Sequence, residues 1–159
     1  MKSITLILFL APFFLATDTA RAKPCVFCNP EVIEAQSVFK TTHYVVLVDH
    51  EPRVKGHLLV VPKRHIARAH ELTKEEWEEL HLVIPKVVKV FSKVLNTDQY
   101  IILEKNGPKA FQQIPHVHFH LFPVTSQAWT AIFNIVPTRL SRADLKAQTT
   151  LYRSAFLSN

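Results

Sequence analysis

Glycine is nearly absent: the chain of 159 residues contains 2, against 10 prolines. Two isolated glycines cannot build a glycine-rich phosphate loop or a dinucleotide-binding fingerprint. The same composition excludes collagen-like, linker or low-complexity character. Cysteine is as scarce, and the pair Cys25 and Cys28 is too few for a disulfide scaffold. No segment repeats at a period of about 20–50 residues, which excludes solenoids and propellers. Charge of one sign is in excess, with a net of +6 and a pI near 9.5. The lysines and arginines are scattered along the chain, however, so nucleic acid is not an expected partner. The longest apolar run, residues 4–16, falls short of the roughly 20 residues a bilayer span requires.

What is present is enough apolar residue for one packed core. The chain is 48% hydrophobic and 20% charged, with a mean hydropathy of +0.09. Its first segment reads as an address. Lys2, the apolar run and the small-x-small step Ala20-Arg21-Ala22 are the three parts of a secretory signal peptide. Residues 1–22 are therefore expected to be removed, leaving a single domain over 23–159. The protein is expected to be exported, to a periplasm or outside the cell, with no stable membrane anchor afterwards.

Residues 23–30 form a short Cys-bearing loop. Residues 36–40 and 43–49 are β-rich runs parted by Thr41-Thr42, a hairpin pattern, and residues 57–62 give a further strand. Thr73 with Glu76 three residues on is a capping box that opens a helix. Trp77, Leu80, Ile84, Val87, Phe91 and Val94 recur along it at helical spacing. Pro85 inside that helix removes the hydrogen bond to the His81 carbonyl and predicts a kink. Strands follow at 100–104 and 116–122, separated by a loop over 105–115, and Ser141 opens a last helix to about Phe156. Strands come in runs, with helices between and after them. This predicts an α+β fold with a mostly antiparallel sheet of about five strands and packed helices.

The chemistry concentrates in residues 114–123, IPHVHFHLFP. Side chains of a strand alternate faces, so His116, His118 and His120 share one face while Val117, Phe119 and Leu121 point into the core. Crowded imidazoles disfavour one another's charged forms, so at least one is expected to be neutral near pH 7. A neutral imidazole can serve as nucleophile, base or metal ligand. Cys25 and Cys28 form a CxxC pair, open at this point to a disulfide or to half of a zinc site. Gly56 and Gly107, in a chain that otherwise avoids glycine, are expected to meet a backbone need such as positive φ.

The run HVHFHLFP resembles the His-φ-His-φ-His-φ-φ signature of the histidine triad family, where φ is apolar. NGPKAFQQIPHVHFHLFP resembles that family's approach loop, and VDHEPRVKGHLLVVPKRHI at 48–66 its first block. The resemblance covers most of the chain from Cys25 to about Pro123. It implies a fold of helices packed on an antiparallel sheet, commonly paired as a homodimer. It also implies a nucleotide hydrolase or transferase acting through a covalent nucleotidyl-histidine, with no cofactor needed for catalysis. His118 matches the nucleophile, and His120 and His57 the assisting histidines. Asp49 matches the acid that contacts ribose, and Gln112 the family glutamine of the approach loop, expected with Lys105 to hold phosphate. Lys105 stands where asparagine is usual, and would attract phosphate as a point charge. Phe111 stands where glycine is common and Gln113 where a small hydroxyl is. In some branches zinc is held as a structural ion by residues matching Cys25, Cys28, His65 and His116. Two other readings of the same residues are a metal-dependent hydrolase using His116, His118 and His120, and a non-catalytic binder of nucleotide or zinc. His43, His50, His70 and His81 match no role.

Overall fold

The computed structural model of the protein describes residues 24–125, 132 and 134–158. The expected signal peptide lies outside the described residues. Five strands, β1 (Ser37–Lys40), β2 (Tyr44–Val48), β3 (Leu58–Pro62), β4 (Tyr100–Glu104) and β5 (Phe119–Pro123), form one sheet. Their order is β1-β2-β3-β5-β4, and every neighbouring pair is antiparallel. Three α-helices are described beside it: α1 (Pro30–Gln36), α2 (Lys74–Leu95) and α3 (Arg142–Leu157). The expected α+β architecture of five antiparallel strands with packed helices is what forms. Among the described residues no helix is long and apolar enough to cross a membrane.

Both faces of the central strands are covered, which is why β2 and β3 are apolar at almost every position. Val46, Val48, Leu58 and Val60 point to one face, with Phe119 and Leu121 of β5. Against them pack Leu80, Val83, Val87, Val90 and Phe91 of α2 and Tyr152 and Phe156 of α3. Val45, Leu47, Leu59 and Val61 point to the other face, where Phe27, Ile33 and Ile114 close over them. Helix α2 begins as its sequence signature requires. Glu76 N–H donates to Thr73 Oγ1 at 3.3 Å, and Thr73 N–H donates to Glu76 Oε2 at 2.8 Å. The helix runs through Pro85 to Leu95 and ends on Asn96 in the left-handed region (φ 56°).

Three boundaries differ from expectation. Residues 30–36 form helix α1, so the loop ends before Pro30 and the first strand begins at Ser37 rather than at 36. Asn29 caps it by accepting from Glu31 N–H at 2.9 Å, and Pro30 occupies the first helical position, where its missing donor costs nothing. Strand β5 begins at Phe119, not at 116. Its pairing with β3 stops at Val60–Phe119, and upstream of that the Val117 N–H donates to Ile66 O at 2.8 Å instead. Trp77, the first residue of the apolar stripe, is 36% exposed at the rim rather than in the core.

Gly56 turns the chain between β2 and β3 at φ +86°. A Cβ there would stand 2.6 Å from Leu95 Cδ1 and 2.7 Å from Tyr152 Oη, so both conformation and space demand glycine. Tyr152 belongs to α3, which follows the stretch that resembles the family. The C-terminal helix thus presses on the turn that introduces His57.

Candidate active site

Residues 116–120 keep the alternation expected of them. Val117 and Phe119 enter the core under α2 and α3, while His116, His118 and His120 emerge on the face covered by Phe27. The three histidines do not converge on one point. His118 and His120 line a cavity of about 380 Å³, whereas His116 is buried in a separate group with Cys25, Cys28 and His65. A metal centre built on His116, His118 and His120 together is therefore not what the fold assembles among the described residues.

Backbone carbonyls set the state of the first two rings. His118 Nδ1 lies 2.7 Å from His116 O. A carbonyl only accepts, so Nδ1 carries the hydrogen and the Nε2 lone pair is left free. His116 Nε2 lies 2.8 Å from Pro62 O, so there Nε2 carries the hydrogen and Nδ1 is left free. Burial holds both imidazoles below their ordinary pKa, that is, neutral. For His118 the Lys105 charge works in the same direction, against the His116 carbonyl bond and Asp49.

The hairpin between β2 and β3 supplies the second layer. Asp49 follows β2 and His57 precedes β3, and Asp49 N–H donates to His57 O at 3.2 Å. The side chains face each other as well, with Asp49 Oδ2 3.1 Å from His57 Nδ1. His57 Nε2 in turn lies 2.9 Å from His120 Nδ1, and the His120 ring stacks with Phe122. One hydrogen serves the His57–His120 contact, so the two rings cannot both be protonated while it holds. Burial, then neighbouring histidine charge, holds His57 far below its ordinary pKa and lowers that of His120 to about 3. Burial also raises the Asp49 carboxyl. Asp49, His57 and His120 bring three ligand atoms within 4.8 Å of one another.

The remaining walls of the cavity come from three places. Val26, Phe27, Val32 and Leu59 give an apolar side. The approach loop gives Lys105, Phe111, Gln113 and Ile114, and the turn after β2 and the C-terminal segment give Arg53 and Arg139. Gln112 is not on the wall. Its Oε1 accepts from Gly107 N–H at 2.7 Å and from Arg68 at 3.1 Å, and its Nε2 donates to Ala67 O at 2.8 Å. The amide expected to meet substrate braces the loop instead, and its neighbour Gln113 faces the cavity. Gly107 has φ +100°, and a Cβ on it would overlap the Arg68 guanidinium. Phe27, Arg53 and Arg139 were not legible as site residues. Phe27 lies inside the CxxC and reads as a spacer, yet its ring sits 5.0 Å from that of His118. Arg53 is anchored by donating to Ile135 O at 2.7 Å, and Arg139 pairs with Glu51 at 3.4 Å.

The second group is compact. Cys25 Sγ is 3.3 Å from His116 Nδ1, Cys28 Sγ is 3.3 Å from His65 Nδ1 and 3.6 Å from His116 Nδ1, and the two Nδ1 atoms are 3.2 Å apart. Both cysteines are free thiols. Zinc bond lengths place tetrahedral N and S ligands about 3.3–3.8 Å from one another. The His116 lone pair left by the Pro62 bond points into this group, so the four residues fit a tetrahedral ion. Of the histidines without an expected role, His50 reaches the cavity wall, 3.8 Å from Asp49. His43 is held by Glu79, His81 bonds Trp77 O at 2.8 Å, and His70 is exposed.

Comparison with known proteins agrees with this geometry. The model of the HIT domain family matches residues 30–127. An uncharacterized HIT-like protein of Methanocaldococcus jannaschii is 41% identical over 102 residues, which cover 62% of this chain and 78% of that protein. An adenosine 5'-monophosphoramidase of Schizosaccharomyces pombe is 35% identical over 107 residues, covering 66% and 77%. Among solved structures, a hypothetical histidine triad nucleotide-binding protein of Sulfolobus tokodaii shares the fold. Its TM-score is 0.71 at 23% identity, over 84% of this chain and 93% of that one.

Proposed function

The chain belongs to the HIT (histidine triad) family, and from that premise we propose that it is a nucleotide hydrolase or nucleotidyltransferase with His118 as nucleophile. The observation that carries the reading is the tautomer of His118. Its hydrogen is committed to the His116 carbonyl, so Nε2 is an unprotonated lone pair on the cavity side of the strand. The phosphoramidase name of the fission-yeast relative supports a nucleotide as the substrate.

In the first step the Nε2 lone pair bonds to the α-phosphorus while the bond from phosphorus to the leaving group breaks. The leaving group departs with the bonding electrons and takes up a proton from solvent. The nucleotidyl-imidazole carries a positive charge, and the His116 carbonyl accepts from its Nδ1–H throughout. In the second step water adds to phosphorus, the P–N bond breaks, and the water's proton replaces the one consumed. Lys105 and Arg53 face the phosphate with positive charge. Asp49 offers a carboxylate for ribose hydroxyls and, through His57, orients the His120 ring.

Zinc is the ion whose preferences suit Cys25, Cys28, His65 and His116. With four protein ligands the site is closed and structural, and no chemical step passes through it. We also read the protein as a homodimer, because β4 is an edge strand with Tyr100 and Ile102 exposed on it.

The deciding experiment compares the protein with its His118→Ala variant on adenosine 5'-phosphoramidate, following turnover and intact mass. Turnover and a nucleotidyl adduct are expected in the wild type and absent in the variant. Undiminished turnover by His118→Ala would sink the covalent mechanism.

A further inference from the structure

Phe111 is the most anomalous residue of the approach loop. It closes the turn Pro108–Ala110 at φ 60°, ψ 27°, in the left-handed region that a bulky side chain rarely adopts. The turn itself requires this conformation. Phe111 N–H donates to Pro108 O at 3.0 Å and Gln112 N–H to Gly107 O at 3.1 Å, which brings the Gln112 amide onto Gly107, Arg68 and Ala67. Glycine would satisfy every one of these backbone bonds without strain. What phenylalanine adds is a ring, and that ring is 79% exposed while lining the cavity. An exposed ring in a strained position, with no packing to offset the strain, points to a ligand.

The surroundings say which ligand. Phe27, the other phenylalanine lining the cavity among the described residues, is 8% exposed and already packs against His116 and His118. On the approach loop, Phe111 shares the wall with Lys105, a cation close enough to act on His118 and His120, and with the exposed amide of Gln113. An aromatic face, a cation and an amide on one loop match an aromatic ring linked to phosphate.

We propose that Phe111 is a specificity-determining residue: its ring stacks on an aromatic ring carried by the leaving group, while Lys105 holds the leaving phosphate. This rests on the nucleotidyl-transfer reading and adds a leaving-group subsite to it.

ATP and diadenosine triphosphate test this directly. Attack at the α-phosphorus expels pyrophosphate from the first and adenosine diphosphate from the second, so the leaving groups differ chiefly by a nucleoside. The ratio of kcat/KM for diadenosine triphosphate to that for ATP is expected to fall about tenfold in Phe111→Gly, and Phe111→Tyr is expected to restore it. Phe111→Gly suits the left-handed backbone, so folding is retained, and its thermal midpoint checks this. An unchanged ratio in Phe111→Gly, or a Phe111→Tyr ratio as low as that of glycine, would overturn the proposal. Calorimetric binding of both nucleotides to His118→Ala separates the two readings. If neither nucleotide binds, the nucleotidyl-transfer reading fails and the leaving-group subsite with it. If both bind with a preference that Phe111→Gly leaves intact, only the role of Phe111 fails.

Discussion

One backbone carbonyl apiece decides what the first two imidazoles of the triad are for. His116 and His118 are chemically identical and two residues apart, yet Pro62 O takes Nε2 of the first and His116 O takes Nδ1 of the second. The free nitrogen of His116 therefore meets thiols and that of His118 meets the cavity. The same scale explains Gln112. Its alignment with the family's approach loop was readable, but its contacts were not, because they depend on where Arg68 and Ala67 come to lie. Gln112→Ala leaves Gly107 N–H, the Arg68 guanidinium and Ala67 O without that partner, at a cost of about 1–3 kcal/mol. The expected result is a lowered midpoint in chemical denaturation. Full stability combined with a steep rise in KM would mean that the amide contacts phosphate instead.

At the scale of elements, those with a local code were legible and those defined by partners were not. Helix α2 announces itself with a capping box and an apolar stripe, and β2 and β3 with continuous β-branched runs. Helix α1 also carried a code, Asn29 followed by Pro30, but its seven residues are too few for periodicity to speak. The start of β5 depends on how far β3 extends beside it, which residues 116–118 do not encode. Strand β4 is an edge by topology alone. Tyr100 and Ile102, 39% and 41% exposed, lie on it beside unpaired backbone groups, a surface suited to pairing with a second copy. Ile102→Lys is expected to convert a dimer to a monomer in light scattering behind size exclusion. A wild type that stays monomeric at high concentration would rule out dimerisation.

Across the whole molecule the two clusters are joined by one segment, residues 116–120. Cys25 and Cys28 begin the described chain, His65 follows β3, and His116 lies 91 residues beyond Cys25. An ion there would tie the first turn, which carries Phe27 into the cavity, to the segment that carries His118 into it. Burial, then the neighbouring Cys25, pushes the Cys28 thiol up, so a bound cation would be needed to hold both cysteines as thiolates. The purified protein is expected to carry one zinc per chain. Chelation should lower the thermal midpoint by about 10 °C, and Cys28→Ser should not retain the metal. A metal-free protein with an unaltered midpoint would leave the four residues as a thiol–imidazole cluster.

The sequence by itself determined the alternation that separates histidines from core, the capped helix, and the need for glycine at positions 56 and 107, while the members of both clusters were implied by the family resemblance. Each follows from local stereochemistry or from a pattern along one segment. Tertiary structure alone decided the geometry of the two clusters, the withdrawal of Gln112 from the cavity, and the arrival of Phe27, Arg53 and Arg139 at its walls. It also decided the exposure of Phe111 beside Lys105. These depend on distances between segments far apart in the chain, which packing sets and no local pattern records.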